Sequence, residues 1–306
     1  MYSSNQKTVI VIAGPTAVGK TSAAIRLAKY FHTEIISADS RQCFKEMNIG
    51  VARPAPEELA AVPHHFIASH SVRDKMDAVV FEQYALKKTQ ALFRQHDKVV
   101  MVGGTGLYIK AFCEGMDVMP EVPEVIRQMI IENYKKKGIE WLQNEIKRKD
   151  PVFYAQGEIK NPQRMMRALE IKEATGHSIL KLRSGDRAQR DFNIVKIGLE
   201  LPKEELHRNI HARVDKMMEA GLPDEVKSLL SCKDLNALQT VGYAELFDYL
   251  DGKISLEKAI EKIMTNTRQY AKRQITWFKK DKGMRWFHPA DIKKMIELSA
   301  VSDTNR

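Results

Sequence analysis

Gly14-Pro15-Thr16-Ala17-Val18-Gly19-Lys20-Thr21 is the stretch from which the rest of the chain is read. Its fixed positions match the pattern G-x-x-x-x-G-K-[ST]. Residues 8–13 before it are apolar and β-branched, the composition of a buried strand. Residues 21–31 after it read as a helix with Ile25, Leu27 and Ala28 on its inner side. Strand, glycine-bearing turn and helix in that order make an anion cradle. Glycine lets the backbone wrap closely, successive N–H groups face one oxyanion, and the helix N-terminus adds its positive end. All eight residues are therefore expected to hold a di- or triphosphate. Lys20 supplies a mobile charge, and the Thr21 hydroxyl is placed to ligate Mg²⁺ that bridges phosphate oxygens. The loop leaves open whether the phosphate-bearing molecule is a nucleotide.

Outward from the loop, strands and helices alternate. Residues 34–39 form a short strand ending in a carboxylate, and residues 64–68 suggest another. Residues 76–95 read as a long helix with Val79, Val80, Tyr84, Leu86, Ala91 and Leu92 as apolar positions. Residues 98–102 are a continuous apolar strand, central and parallel, that runs into Gly103-Gly104-Thr105-Gly106 and a helix from Leu107. This rhythm predicts an α/β fold, a P-loop NTPase-like parallel sheet covered by helices. The texture changes near Gly115. Two prolines mark a linker at 119–123, and residues 124–182 are helical and strongly charged with no convincing strand. Residues 192–199 return to strand, residues 202–220 form a helix closed by Gly221, and helices follow near 224–230, 242–250 and 255–280. The expected organisation is a core segment over 1–115, an all-helical insertion over 116–190, and a second core segment over 191–306. Residues after 298 read as a frayed polar tail.

Composition sets wider bounds. Lys and Arg number 49 against 39 Asp and Glu, a formal charge of +10. That excess fits a polyanionic partner, and equally a basic enzyme without one. Cys43, Cys113 and Cys232 are far apart and lack C-x-x-C spacing, so neither a disulfide framework nor a zinc site is suggested. The apolar run after Lys7 is too short for a signal peptide or a membrane span. A cytoplasmic protein without membrane contact is expected, and a monomer.

Several residues are candidates for chemistry. Asp39 ends a strand beside the loop, where open parallel sheets bind ligands. There it can take a proton from a nucleophile, bind magnesium through water, or merely serve as the N-cap of a short helix that Asp39-Ser40 would begin. The strand at 98–102 lacks the terminal Asp with which a hydrolysing motor binds its metal. Its small residues leave room for substrate, and the Thr105 hydroxyl can donate to a phosphate oxygen, unless the stretch is a plain turn. Arg208 and Arg213 follow the re-entrant strand, and either is a diphosphate clamp or a solvated side chain. Residues 268–280 interleave cations with aromatics, with Ala271, Ile275 and Phe278 facing the core. The remaining faces suit an RNA backbone or plain solvent. Lys135-Lys136-Lys137 and Lys147-Arg148-Lys149 read as solvated faces, and His64-His65 as packing rather than a metal site.

Together these pieces resemble the bacterial tRNA dimethylallyltransferases over nearly the whole chain. The motifs that carry the resemblance are residues 14–21, Asp39-Ser40-Arg41-Gln42, Pro63-His64-His65, Gly103-Gly104-Thr105-Gly106-Leu107-Tyr108, Asn161-Pro162-Gln163-Arg164, Val241-Gly242-Tyr243 and Lys272-Arg273-Gln274-Ile275-Thr276-Trp277. The resemblance implies transfer of a dimethylallyl group from dimethylallyl diphosphate to N6 of the adenosine just 3′ of the anticodon in tRNA. It implies that the loop and Mg²⁺ hold the prenyl diphosphate rather than a nucleotide, and that the all-helical insertion over 116–190 contacts tRNA. Residues matching the family's catalytic base and diphosphate contacts are Asp39, Thr105 and Arg213. Those matching its contacts to the tRNA anticodon stem-loop are Asp39-Ser40-Arg41-Gln42, Thr105, Arg127, Gln163-Arg164-Met165-Met166-Arg167, Gln239-Thr240-Val241-Gly242-Tyr243-Ala244 and Lys272-Arg273-Gln274-Ile275-Thr276-Trp277-Phe278-Lys279. Phe44, Val51 and Arg53 depart from residues common in relatives, which bears on contacts rather than on the reaction. A small-molecule kinase and a non-catalytic RNA-binding module are the alternatives.

Overall fold

The computed structural model describes residues 7–183 and 185–301. The chain divides into two compact units, one made of residues 1–114 and 189–306, the other of residues 115–188.

In the first unit a six-stranded sheet carries β1 (Thr8–Ala13), β2 (Ile35–Ser37), β3 (His64–His65), β4 (Lys98–Gly103), β5 (Asn193–Leu199) and β6 (Arg285–Phe287). The order is β3-β2-β4-β1-β5-β6, and every pairing is parallel. Parallel neighbours need crossovers, which the helices supply. They are α1 (Lys20–Tyr30), α2 (Pro56–Ala61), α3 (Ala78–Leu92) and α4 (Gly106–Glu114). The second unit contributes α5 (Glu124–Lys149), α6 (Pro151–Gln156) and α7 (Pro162–Thr175). Back in the first unit come α8 (Lys203–Glu219), α9 (Leu222–Ser228), α10 (Tyr243–Leu250), α11 (Leu256–Phe278) and α12 (Ile292–Val301).

β1 is buried along its whole length because helices cover both faces. Alternation splits its side chains: Val9, Val11 and Ala13 join one core, Ile10 and Ile12 the other. Ala13 is in register with Gly103 of β4 and Gly198 of β5. Three central strands therefore end flush, and the loops that leave β1, β2 and β4 share one edge of the sheet.

The structure corrects several expectations. α3 buries Ala78, Phe81, Ala85, Thr89 and Leu92, whereas Val79 is 43% exposed. Asp77 sets that phase by accepting hydrogen bonds from the backbone N–H groups of Val79 and Val80 as N-cap. α2, β6 and α12 have no counterpart in the sequence reading. α12 runs through residues 299–301, where a polar tail is expected, and it buries Ile292 and Met295. The remainder of that tail lies outside the described residues.

The second unit has its own core of Ile130, Leu142, Ile146, Phe153, Met165 and Leu169 with their neighbours. Gly138 breaks α5 at φ 74, a conformation that glycine adopts without strain. Asp150 and Asn161 cap the starts of α6 and α7, which fits the prolines that follow each.

Candidate active site

The phosphate loop leaves β1 and closes on α1. Gly14 takes φ 153, and a Cβ there would lie 2.7 Å from the Leu199 carbonyl. Gly19 takes φ 94 at the N-cap of α1. Both positions thus require glycine. Lys20 Nζ donates to the carbonyl of Pro15 at 2.7 Å. Arg213 of α8 donates from Nη1 to Thr16 Oγ1 at 3.0 Å, while Arg208 on the same helix is exposed. The structure so separates two arginines that helix position alone left equivalent. Burial, and then the Arg213 charge, push Lys20 down from 10.5 to about 7, with Asp39 opposing. Burial also lowers Arg213, again opposed by Asp39. These couplings put the carboxylate within electrical reach of both cations.

Asp39 follows β2, and its two oxygens are used differently. Oδ1 accepts from Arg41 N at 2.9 Å and Gln42 N at 3.3 Å, closing a turn. Oδ2 makes no hydrogen bond among the described residues. Asp39 thus caps a turn rather than the short helix expected from sequence, since residues 40–43 form turn and no helix, and this leaves one oxygen available. Thr105 sits beside this turn: its Oγ1 accepts from Ser40 N at 3.0 Å and donates to Ser40 Oγ at 3.2 Å, so in the free protein it braces the Asp39 turn.

The glycines at the end of β4 and just beyond it make room for neighbouring parts of the protein. A Cβ on Gly103 would lie 2.1 Å from the Ala38 carbonyl. One on Gly104 would lie 2.3 Å from Gln274 Nε2, and one on Gly106 2.2 Å from the Trp277 indole. The Gly-Gly-Thr-Gly stretch is the bed on which β2's end and α11 rest.

Residues 48–56 form a further wall. Gln42 Nε2 donates to the carbonyls of Val51 and Ala52, and the Arg53 guanidinium donates to those of Phe44, Lys45 and Met47. Arg53 is thus a clasp within its own loop. Glu225 at the start of α9 accepts from the N–H groups of Asn48, Ile49 and Gly50 and from the Tyr243 hydroxyl at 2.6 Å. Nothing local in the sequence marks Glu225, because its four donors come from distant segments. Against this wall lies a cleft of about 620 Å³, reached by Ala17, Gly19, Ile49, Arg53, Arg213 and Met217.

The residues that the resemblance offers as RNA contacts fall into two groups. On α11, Lys272, Arg273 and Thr276 are exposed, as is Lys279 at its C-cap, and Trp277 and Ile275 are half-buried. Among 239–244, Gln239 is exposed and Thr240, Val241 and Ala244 are half-buried. In the second unit Gln163 and Arg164 are exposed and Met166 is half-buried. Arg127 and Arg167 both pair with Glu170, which is 5% exposed. Met165, Tyr243, Gln274 and Phe278 are buried, and Gly242 starts α10 inside the core. The side chains of the first four satisfy packing or internal hydrogen bonds in the free protein.

Magnesium fits the donors sparsely. The Thr21 hydroxyl and Asp39 Oδ2 are hard oxygens without protein partners among the described residues, and no group of three His, Cys, Asp or Glu there could hold a metal. That suits an ion that keeps several waters and is bound chiefly by phosphate. His65 pairs with Glu34 at 2.5 Å and His64 Nδ1 lies 2.7 Å from the Val62 carbonyl, so both are structural.

The parallel sheet and its loop define a phosphate-loop enzyme of the α/β class. The chain belongs to the IPP transferase family, whose sequence model matches residues 42–281. It is 46% identical to tRNA dimethylallyltransferase 1 of Bacteroides thetaiotaomicron, over 95% of this chain and 94% of that protein. It is 48% identical to the tRNA dimethylallyltransferase of Christiangramia forsetii, over 94% of this chain and 95% of that one. Among solved structures it resembles the tRNA isopentenylpyrophosphate transferase of Bacillus halodurans, with TM-score 0.72, 33% identity and 97% of each chain covered. It also resembles a eukaryotic dimethylallyltransferase acting on tRNA, with TM-score 0.77, 26% identity, 96% of this chain and 78% of that one.

Proposed function

We propose that the chain transfers a dimethylallyl group from dimethylallyl diphosphate to N6 of the adenosine 3′-adjacent to the anticodon in tRNA. The observation that carries this reading is the shared strand edge. There Asp39, with Oδ2 free, acts electrically on Lys20 and Arg213, which are both drawn onto the phosphate loop. The adenine amine is a weak nucleophile because its lone pair is delocalised into the ring. As that pair forms the new bond to the allylic carbon, the carbon–oxygen bond breaks and diphosphate leaves with the electrons. The amine proton passes to Asp39 Oδ2. Charge grows on the leaving oxygens, where loop N–H groups, Lys20 and Arg213 stabilise it. Mg²⁺ held by the Thr21 hydroxyl would supply further screening of the diphosphate.

The base must leave its stack to reach the site, which a loop permits more cheaply than a duplex. The exposed cations of α11 and of the second unit, Lys272, Lys279 and Arg164 among them, would bind the RNA backbone. This work belongs in the cytoplasm with tRNA. The test is to incubate the protein with labelled dimethylallyl diphosphate, Mg²⁺ and unmodified tRNA. Label on the one adenosine supports the reading, and transfer of phosphate from ATP to a small acceptor instead would replace it with a kinase.

A further inference from the structure

Gln274 is a polar residue on an apolar seam. It follows Ala271 and precedes Phe278 on the buried face of α11, and it is 6% exposed. A buried amide is costly unless both its ends are satisfied. Here they are. Oε1 accepts from the backbone N–H of Thr16 at 2.8 Å, and Nε2 donates to the Gly104 carbonyl at 2.9 Å. One partner is a donor and the other an acceptor, so the amide has a single satisfied orientation. Gly104 is what admits it, since a Cβ there would sit 2.3 Å from Nε2.

The consequence falls on the phosphate loop. With its N–H engaged by Gln274, Thr16 does not point that donor at an anion. Its hydroxyl in turn accepts from Arg213 at 3.0 Å. A chain of contacts thus runs from α11 through Thr16 to the guanidinium on α8.

We propose that Gln274 is a positioning residue for the diphosphate site, holding the Thr16 peptide so that the loop keeps its shape and Arg213 is aimed at the leaving group. This rests on the reading of that site as a diphosphate holder. It differs from a surface role in gripping RNA, because the amide is buried and both of its ends are engaged within the protein.

The test titrates Mg²⁺-pyrophosphate by calorimetry into the full-length protein and into Gln274→Met, Thr16→Val and the double variant. Each single change should weaken pyrophosphate about tenfold, the scale of one hydrogen bond at a charged site. Because both act through Thr16 on Arg213, the double variant should lose little more than the worse single. Affinity for an anticodon stem-loop RNA should stay within about twofold, and steady-state assays should raise KM for the prenyl donor with KM for tRNA unchanged. Gly104→Ala, which crowds the amide without removing it, should reproduce the pyrophosphate loss and stands in if Gln274→Met fails to fold. Pyrophosphate binding equal to the parent's, losses that multiply in the double variant, or weaker RNA binding alone would each overturn the proposal. No pyrophosphate binding by the parent would instead sink the site reading beneath it.

Discussion

Diphosphate affinity should fall as pH rises above 7, and Lys20 supplies the reason. Burial and the neighbouring Arg213 bring its ammonium down from 10.5 to about 7 in the free site. A bound diphosphate places negative charge beside it and restores the protonated form. Binding then takes up a proton whenever the free site lacks one. About half of the free sites carry it at pH 7 and about one in thirty at pH 8.5, so the affinity owed to Lys20 drops about fifteenfold between them. The ligand titrates too, so the quantity to measure is the ratio of parent to Lys20→Met affinity for Mg²⁺-pyrophosphate from pH 6 to 9. Calorimetry in two buffers of different ionisation enthalpy should show uptake approaching one proton per site at pH 8.5. A flat ratio, with no proton taken up, would refute the reasoning. The same shift acts on folding. The unfolded chain holds the Lys20 proton up to 10.5 and the folded one only to about 7. Lys20 therefore costs stability below pH 7, and that cost is relieved as pH climbs from 7 to 10.5.

Asp39→Asn keeps an oxygen to accept from Arg41 N and Gln42 N but loses the proton acceptor. Labelled-donor assays should show turnover reduced at least about a hundredfold with the melting temperature held. Asp39→Ala also loses the cap, and thermal melts should show a further loss of about 1 kcal/mol. Tyr243→Phe removes the 2.6 Å hydrogen bond to Glu225 and should cost about 2 kcal/mol in denaturant titrations; an unchanged midpoint would mean that the hydrogen bond is idle. Gly106→Ala puts a methyl 2.2 Å from the Trp277 indole, and the forced shift of α11 should cost about 1–3 kcal/mol by the same measurement. Replacing exposed Lys272 and Lys279 by Ala should weaken tRNA binding and flatten the plot of log affinity against log salt by up to about one unit for each phosphate no longer neutralised. Lys279 should contribute less, because Glu200 already pairs with it at 2.9 Å in the free protein.

Short-range physics made much of the molecule readable in one dimension. The phosphate loop needs two backbone conformations that glycine supplies and a helix start directly behind it, all within eight residues. The alternating strands and helices, and hence a parallel sheet with a helical segment inside it, follow from hydrophobic period and from Pro and Gly punctuation. α12 escaped because its apolar face is short, and β6 because three residues carry too little pattern. Asp39 was legible as a place but not as a division of labour between its two oxygens.

What chain order conceals is which distant groups meet. Gln274 reaches Thr16 across 258 residues, and Glu225 reaches Gly50 across 175. The same distance hid why Arg213 and not Arg208 turns toward the loop, and why glycines follow β4. Hydrogen bonds and van der Waals contacts act over a few ångströms, so residues this far apart acquire their roles only when the sheet has brought their elements side by side.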